Sequence, residues 1–302
     1  MSNTAVLTLN TGAKMPQIGL GTWQSKPNEV YEAVLTAIKT GYKHIDAAYI
    51  YGNEKEVGKA IKDSGIPRSE LFVTTKLWNT FHRPEDVEKA LQKSLDNLGL
   101  DYVDLYLMHW PVAFKAGEDN SPKGEDGKTL FEDVDFTETY AAMEKLDKNK
   151  VRAIGVSNFN VTKLEKLAKT QKIVPAANQV ELHPYLPQDE LVNYCKEKGI
   201  IVTAYSPLGS TDSPLLKDEV VAKIAEKNKV SPAQILISWG AKRGYSVIPK
   251  SVTASRIKAN FEIVDLSDDD FETLNKIVHS QKKQRLVDPY NFWGVDVFDE
   301  HE

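Results

Sequence analysis

Four side chains in the sequence could act together on a carbonyl group: Asp46, Tyr51, Lys76 and His109. A free tyrosine has a pKa of ~10 and donates its proton reluctantly at neutral pH; a nearby Lys cation lowers that value, and an Asp paired with the Lys holds it in place. His109 could then orient or polarise a carbonyl oxygen. The chain offers no activated Ser or Cys arrangement and no H-E-x-x-H motif. His44, His82, His183, His279 and His301 show no metal-ligand spacing, so no catalytic metal is expected.

The elements that must position these residues follow from periodicity and stop signals. In Gly41-Tyr-Lys-His-Ile-Asp-Ala-Ala-Tyr-Ile-Tyr-Gly-Asn-Glu54, a Gly stop follows the helical run Val30–Thr40. A short apolar strand near His44–Ala48 comes next, and Gly52-Asn53 opens another helix. Asp46 therefore falls near a strand end, with Tyr51 on the following loop. Two alternating runs, Ala5–Leu9 and Lys14–Gly19, flank Asn10-Thr11-Gly12 and predict a hairpin. Strand-like runs then alternate with helical periods: Ile18–Gly21, His44–Ala48, Leu71–Lys76, Val103–Met108, Val151–Ser157, Pro175–Val180, Ile200–Ala204 and Tyr245–Ile248. Within Pro84–Gly99, Val87, Leu91, Leu95 and Leu98 form one apolar helix face and Gly99 stops it. Eight strand–helix repeats predict an α/β (β/α)8 TIM barrel, with the hairpin closing one end and a C-terminal loop over the mouth.

Polar residues recur where these strands end: Asp46, Lys76, His109, Ser157-Asn158, Gln179, Tyr205-Ser206 and Lys250-Ser251. In such a barrel the C-terminal strand ends converge on one mouth. Each residue alone has a plainer reading: Asp46 as a cap or turn residue, Lys76 as a solvated strand end, His109 as a core histidine, Gln179 as a strand cap. Their joint recurrence favours a site.

Composition excludes other classes. A net charge of −5 with well-mixed signs lacks the clustered basic surface of a nucleic-acid binder. Cys195 is the single cysteine, which excludes an internal disulfide, and no apolar run is long enough to span a bilayer. No secretory signal is visible at the N-terminus, so a cytoplasmic monomer without nucleic-acid or membrane partners is expected. No linker composition marks a boundary. A single domain over 1–302 is expected, with the hairpin and first strand at 5–20 and a tail at 280–302.

A reduction needs a hydride source, yet no G-x-G-x-x-G opens a helix after a strand, and Gly19-Leu-Gly21 is too short for it. Gly124-Glu-Asp-Gly-Lys-Thr129 has glycines three apart instead of five and no preceding strand, so it is not a phosphate loop. A better phosphate site lies in Val247–Asn260, where Lys250, Ser251 and Thr253 precede a helix start and Arg256 lies one turn inside it.

At this point the sequence resembles the aldo-keto reductases. The resemblance rests on Gly41–Asp46 continuing to Glu54 and Gly58, on Arg152-Ala-Ile-Gly-Val-Ser-Asn-Phe159, and on Ile248-Pro-Lys-Ser251 continuing to Arg256 and Asn260. Lys76, His109-Trp-Pro111, Asn178-Gln179 and Tyr205-Ser-Pro-Leu208 fit between them in order, so it covers roughly residues 5–265. It implies a barrel that binds NADPH in an extended pose and reduces aldehydes and ketones. Carried over, it makes Tyr51 the general acid, assisted by Lys76 and Asp46, with His109 orienting the carbonyl. Ser157, Asn158 and Gln179 would hold the nicotinamide carboxamide and Tyr205 would stack on its ring. Lys250, Ser251, Thr253, Arg256 and Asn260 would hold the 2′-phosphate end. Thr22, Trp23, Asp46, Ser206, Leu208, Ser210 and Val252 would complete the cofactor contacts. Trp23, Trp78 and Trp110, with Tyr51 and His109, would line the substrate mouth.

An acidic residue common near the adenine is replaced by Ala259, and the segment Gly209–Lys217 is shorter than in mammalian aldose reductases. The long polar region Val112–Asp135 suits either a flexible mouth loop or a solvated insertion. The tail Leu286–Phe298 suits either a cover for the substrate site or packing on outer helices. The wording of His109–Phe114 and of Phe292-Trp-Gly294 is closest to fungal members that act as glycerol dehydrogenases or broad carbonyl reductases. A xylose-type sugar reductase and a non-catalytic NADPH-binding interaction subunit are the alternatives.

Overall fold

In a computed structural model, residues 3–209, 213–280 and 283–301 are described. The chain begins with an antiparallel hairpin of β1 (Val6–Thr8) and β2 (Lys14–Pro16), turned at Gly12 with φ 86°. Leu9 and Met15 from its turn side pack with Phe72, Leu105, Ala153 and Ala177 and close the N-terminal end of a barrel.

That barrel is made of β3 (Leu20–Gly21), β4 (His44–Asp46), β5 (Phe72–Leu77), β6 (Val103–Met108), β7 (Val151–Ser157), β8 (Ala177–Glu181), β9 (Ile201–Tyr205) and β10 (Ser246–Val247). The eight strands pair in sequence order, each pair parallel. Parallel bridges Ile18↔Val247 and Gly21↔Lys250 close β3 onto β10, with Gly19 N donating to Val247 O at 2.9 Å and Gly21 N to Pro249 O at 3.0 Å. A Cβ on Gly21 would lie 2.9 Å from Ile248 O, so the seam needs a residue without one.

The helices are α1 (Pro27–Thr40), α2 (Glu54–Asp63), α3 (Pro84–Leu98), α4 (Phe136–Met143), α5 (Val161–Ala168) and α6 (Asp189–Glu197). They continue with α7 (Glu219–Asn228), α8 (Pro232–Lys242), α9 (Ala254–Phe261), α10 (Asp268–Asn275), α11 (Ile277–Ser280) and α12 (Pro289–Trp293). α3 buries the expected stripe of Val87, Leu91, Leu95 and Leu98, and Gly99 ends it in the left-handed region at φ 61°. Among the described residues no helix is long and apolar enough to cross a membrane.

The region Val112–Asp135 is exposed over much of its length, as a solvated insertion would be, and is tied to the barrel by specific hydrogen bonds. Asn120 O accepts the Trp78 indole N–H at 2.7 Å, Phe114 N donates to Asn79 O at 2.9 Å, and Arg83 pairs with Glu132. Its Gly124–Thr129 portion is a tight turn in which Gly124 N donates to Lys128 O. The region packs behind Trp78 and contributes no residue of its own to the cleft lining.

α2 crosses α3 where Gly58 faces Leu98. A Cβ there would stand 1.9 Å from Leu98 O, a backbone atom that cannot swing aside. Gly58→Ala should therefore cost about 3 kcal/mol or more through overpacking. Guanidinium unfolding would show it as a lower midpoint at unchanged slope; an unchanged midpoint would mean that the crossing relaxes freely.

Candidate active site

Asp46 is the last residue of β4, and its main-chain oxygen accepts the Thr22 hydroxyl at 2.8 Å. Lys76 lies in β5, where alternation sends Thr75 outward to Glu54 at 2.6 Å and Lys76 into the barrel. The Lys76 ammonium donates to Asp46 Oδ2 at 2.7 Å, to Ala47 O at 2.9 Å and to the Tyr51 hydroxyl at 3.2 Å. All three of its N–H groups are thereby placed. The phenol oxygen of Tyr51 accepts, which leaves its own hydrogen free for another partner. Asp46 Oδ1 accepts from Gln179 Nε2 at 2.7 Å. Both side chains of the Asp46–Lys76 pair are buried, at 2 % and 0 % exposure.

Burial dominates the titration of this group. It pushes the Tyr51 phenol well above its ordinary value, and Asp46 pushes the same way. The expectation that Lys76 lowers this pKa is corrected: desolvation penalises the phenolate, and the Lys charge is already balanced by Asp46. Burial also pulls the Lys76 ammonium below its usual range, against the opposing pull of Asp46. Burial, aided by Lys76, holds His109 well below an ordinary imidazole. Around neutrality the site therefore presents a protonated phenol beside a neutral ring. The His109 ring meets Tyr51 edge-on, with centroids 5.8 Å apart, and Trp78 at 5.3 Å.

These groups open into one cleft of about 1020 Å³ that runs from the tryptophans at the mouth, past the strand ends, to the start of α9. Trp23, Trp78 and Trp110 line it as expected, Trp23 being the exposed one. Ser157 Oγ donates to Gln179 O at 2.7 Å. Asn158 Nδ2 donates to His109 O at 3.0 Å, and the Tyr205 hydroxyl donates to Asn158 Oδ1 at 2.7 Å. The residues named for the carboxamide thus form one linked set with the reactive groups. Asn158, Ser206 and Gln24 line the cleft with φ of 63°, 47° and 56°, left-handed backbone held by non-glycine residues. Such strain concentrates at functional sites.

At the far end, Lys250, Val252, Thr253 and Arg256 are exposed on the cleft, and Ser251 and Asn260 are buried beside them. Thr253 stands at the N-cap of α9 without accepting from the helix, so first-turn amides keep no side-chain acceptor. Thr22 and Leu208 line the same cleft. Ser210 lies outside the described residues. Of the proposed residues that are described, only Lys76 is set back from the cleft wall, behind Tyr51. Among the described residues no group of His, Cys, Asp and Glu could hold a metal ion.

Ile50 and Leu216, with Ser231 and Pro232 at the start of α8, also line the cleft, and no local pattern announces them. The tail is placed over the mouth. Trp293 packs edge-on against Phe114, Trp110 and Trp78, with centroids 4.8, 5.1 and 6.0 Å away, and Val287 and Phe292 join it in the cleft wall.

Burial also drives three histidines neutral: His44 and His109 are shifted down, and His82 falls to about 3. The unfolded chain binds protons at these rings below about pH 6.5, where the folded chain does not. Stability should therefore be fully present above about pH 6.5 and should fall on acidification, by up to about 1.4 kcal/mol per pH unit for each such ring. Urea unfolding at stepped pH measures this; a flat profile between about pH 6.5 and about pH 4 would contradict neutral burial.

A closed parallel barrel with a Tyr, Lys, Asp and His set at its C-terminal mouth, opening on one long cleft, is the framework of a barrel enzyme. The aldo/keto reductase family model matches residues 17–279. Glycerol 2-dehydrogenase (NADP(+)) of Saccharomyces cerevisiae is 55 % identical over 98 % of this chain and 97 % of its own length. Aldehyde reductase YPR1 of the same organism is 50 % identical over 97 % and 96 %. The solved aldose reductase of Schistosoma japonicum superposes with a TM-score of 0.93 at 40 % identity, covering 99 % of both chains. The chain belongs to the aldo/keto reductase family, and it is an oxidoreductase.

Proposed function

We propose that this protein uses NADPH to reduce aldehydes and ketones to alcohols, with Tyr51 as the proton donor. The observation that carries the reading is the allocation of the Lys76 ammonium. Its three hydrogens go to Asp46, Ala47 and Tyr51, so the phenol hydrogen is the one left to give.

When bound, NADPH supplies the hydride for the carbonyl carbon. Tyr51 transfers its proton to the carbonyl oxygen, and Lys76 stabilises the phenolate that remains. Asp46 fixes Lys76, and neutral His109 orients the oxygen. Ser157, Asn158 and Gln179 present buried amide and hydroxyl groups suited to a carboxamide, and Tyr205 offers a ring face. Lys250, Arg256 and the first turn of α9, with Ser251, Thr253 and Asn260, form a cationic cradle suited to a 2′-phosphate. The NADP(+) in the name of the similar Saccharomyces cerevisiae glycerol 2-dehydrogenase supports this choice of cofactor. The substrate side is walled by Trp23, Trp78, Trp110 and Trp293, which suits aromatic and medium-chain aldehydes over very polar ones.

Loss of NADPH absorbance on mixing with glyceraldehyde or an aromatic aldehyde tests the reaction. Tyr51→Phe should lower kcat at least about a hundredfold while NADPH still binds, because general acid catalysis is worth about 10²–10⁴. Substantial residual turnover would remove Tyr51 from its role. Lys250→Met should weaken NADPH by about tenfold or more and leave NADH nearly untouched, as expected for a lost charge-assisted phosphate contact. Equal weakening of both cofactors would move the phosphate site elsewhere.

A further inference from the structure

Glu181 ends β8 two residues beyond Gln179, so both side chains leave the same side of the strand. Gln179 reaches Asp46 inside the barrel, and Glu181 stands one layer nearer the mouth. Its side chain is fully buried, and among the described residues no Lys or Arg pairs with it. Oε1 accepts from Leu286 N at 2.9 Å and from His183 Nε2 at 2.7 Å, and Oε2 accepts from Val287 N at 2.9 Å. A carboxylate buried without a Lys or Arg partner is costly unless its acceptors are filled. Here two of its bonds go to the main chain of the tail.

From that point the tail arches across the mouth. α12 brings Phe292 and Trp293 into the cleft wall, and Trp293 meets Trp78, Trp110 and Phe114. The arch lands at Phe298 and Asp299, where Asn160 Nδ2 donates to Phe298 O at 3.2 Å and to Asp299 Oδ2 at 2.7 Å. Asn160 follows Asn158 by two residues, as Glu181 follows Gln179. The strand ends that bear cleft residues thus also carry both feet of the arch. At the Glu181 foot the hold is on backbone amides, so it fixes where the tail lies independently of the tail's side chains.

We infer that Glu181 is a positioning residue for substrate selection: its carboxylate clamps the root of the tail so that Trp293 keeps its place and favours substrates with a flat, bulky remainder. This rests on the carbonyl-reductase reading above. Glu181 also neighbours Tyr205 across β8 and β9, which offers a competing route through the cofactor platform.

The test compares wild type with Glu181→Gln on benzaldehyde and on propanal, with NADPH affinity followed by fluorescence quenching. The amide turns one acceptor into a donor facing a backbone N–H. It should raise KM for benzaldehyde about tenfold, with kcat, the propanal KM and NADPH affinity within about twofold. Trp293→Ala should raise the benzaldehyde KM at least as much, and the double variant should be no worse than Trp293→Ala alone. Equal rises for both aldehydes, a parallel loss of NADPH affinity, or full additivity with Trp293→Ala would overturn the inference. Should Glu181→Gln fail to fold, Glu181→Asp keeps the charge but withdraws it by one methylene. The same size discrimination would then support the clamp, and an unchanged profile would refute it. A wild type that oxidises no NADPH with either aldehyde would sink the underlying reading, a result distinct from failure of the clamp.

Discussion

The buried ion pair between Asp46 and Lys76 is the constraint on which the rest depends. Removing two charges from water is costly, and the attraction between them repays this only when every remaining donor and acceptor is filled. Here they are filled from several strands at once. Thr22 from the end of β3 holds the Asp46 main chain, Gln179 from β8 takes its second oxygen, and Ala47 takes a Lys76 hydrogen. A packed apolar pair would serve stability as well or better, so the pair is better explained by what else it holds. The remaining hydrogen of Lys76 goes to Tyr51.

The barrel was legible because its physics is local. Strands buried on both faces read as short apolar runs, and the expected ends agree with the observed ones within about two residues, as for Val103–Met108 and Val151–Ser157. The site was legible for a related reason: parallel strands in sequence order send their C-terminal ends to one mouth, so polar residues there must converge. What was not legible depends on three-dimensional surroundings. The sign of the Tyr51 shift turns on burial against charge, and spacing gives neither the burial nor the fact that Asp46 already balances Lys76. The tail allowed two placements because its root is fixed by Glu181, more than a hundred residues earlier. Ser231 and Pro232 reach the cleft only through the way α8 packs.

The mouth, like the reactive centre, is joined by specific contacts. Trp78 is held by Asn120 O from the insertion and faces Trp293 from the tail, so two segments distant in sequence meet on one indole. Edge-on aromatic contacts of this kind add about 0.5–1.5 kcal/mol each beyond the area they bury. The result is an apolar wall beside Tyr51 and His109. It lowers the local dielectric, which is also what keeps the phenol protonated and the imidazole neutral.

That same burial makes Tyr51 a stronger holder of its proton, an apparent handicap for a donor. The resolution lies in when Lys76 matters. Toward a neutral phenol its 3.2 Å bond joins a charge to a dipole. Toward a developing phenolate it becomes a hydrogen-bonded ion pair, and in a water-poor cleft that gain is larger than it would be in solution. An interaction that strengthens only as the proton leaves lowers the barrier without tightening the resting state. With Tyr51 as the proposed donor, the buried pair would serve a charge that forms on the phenol during reaction, and Asp46 offsets the cost of a lone cation in that position.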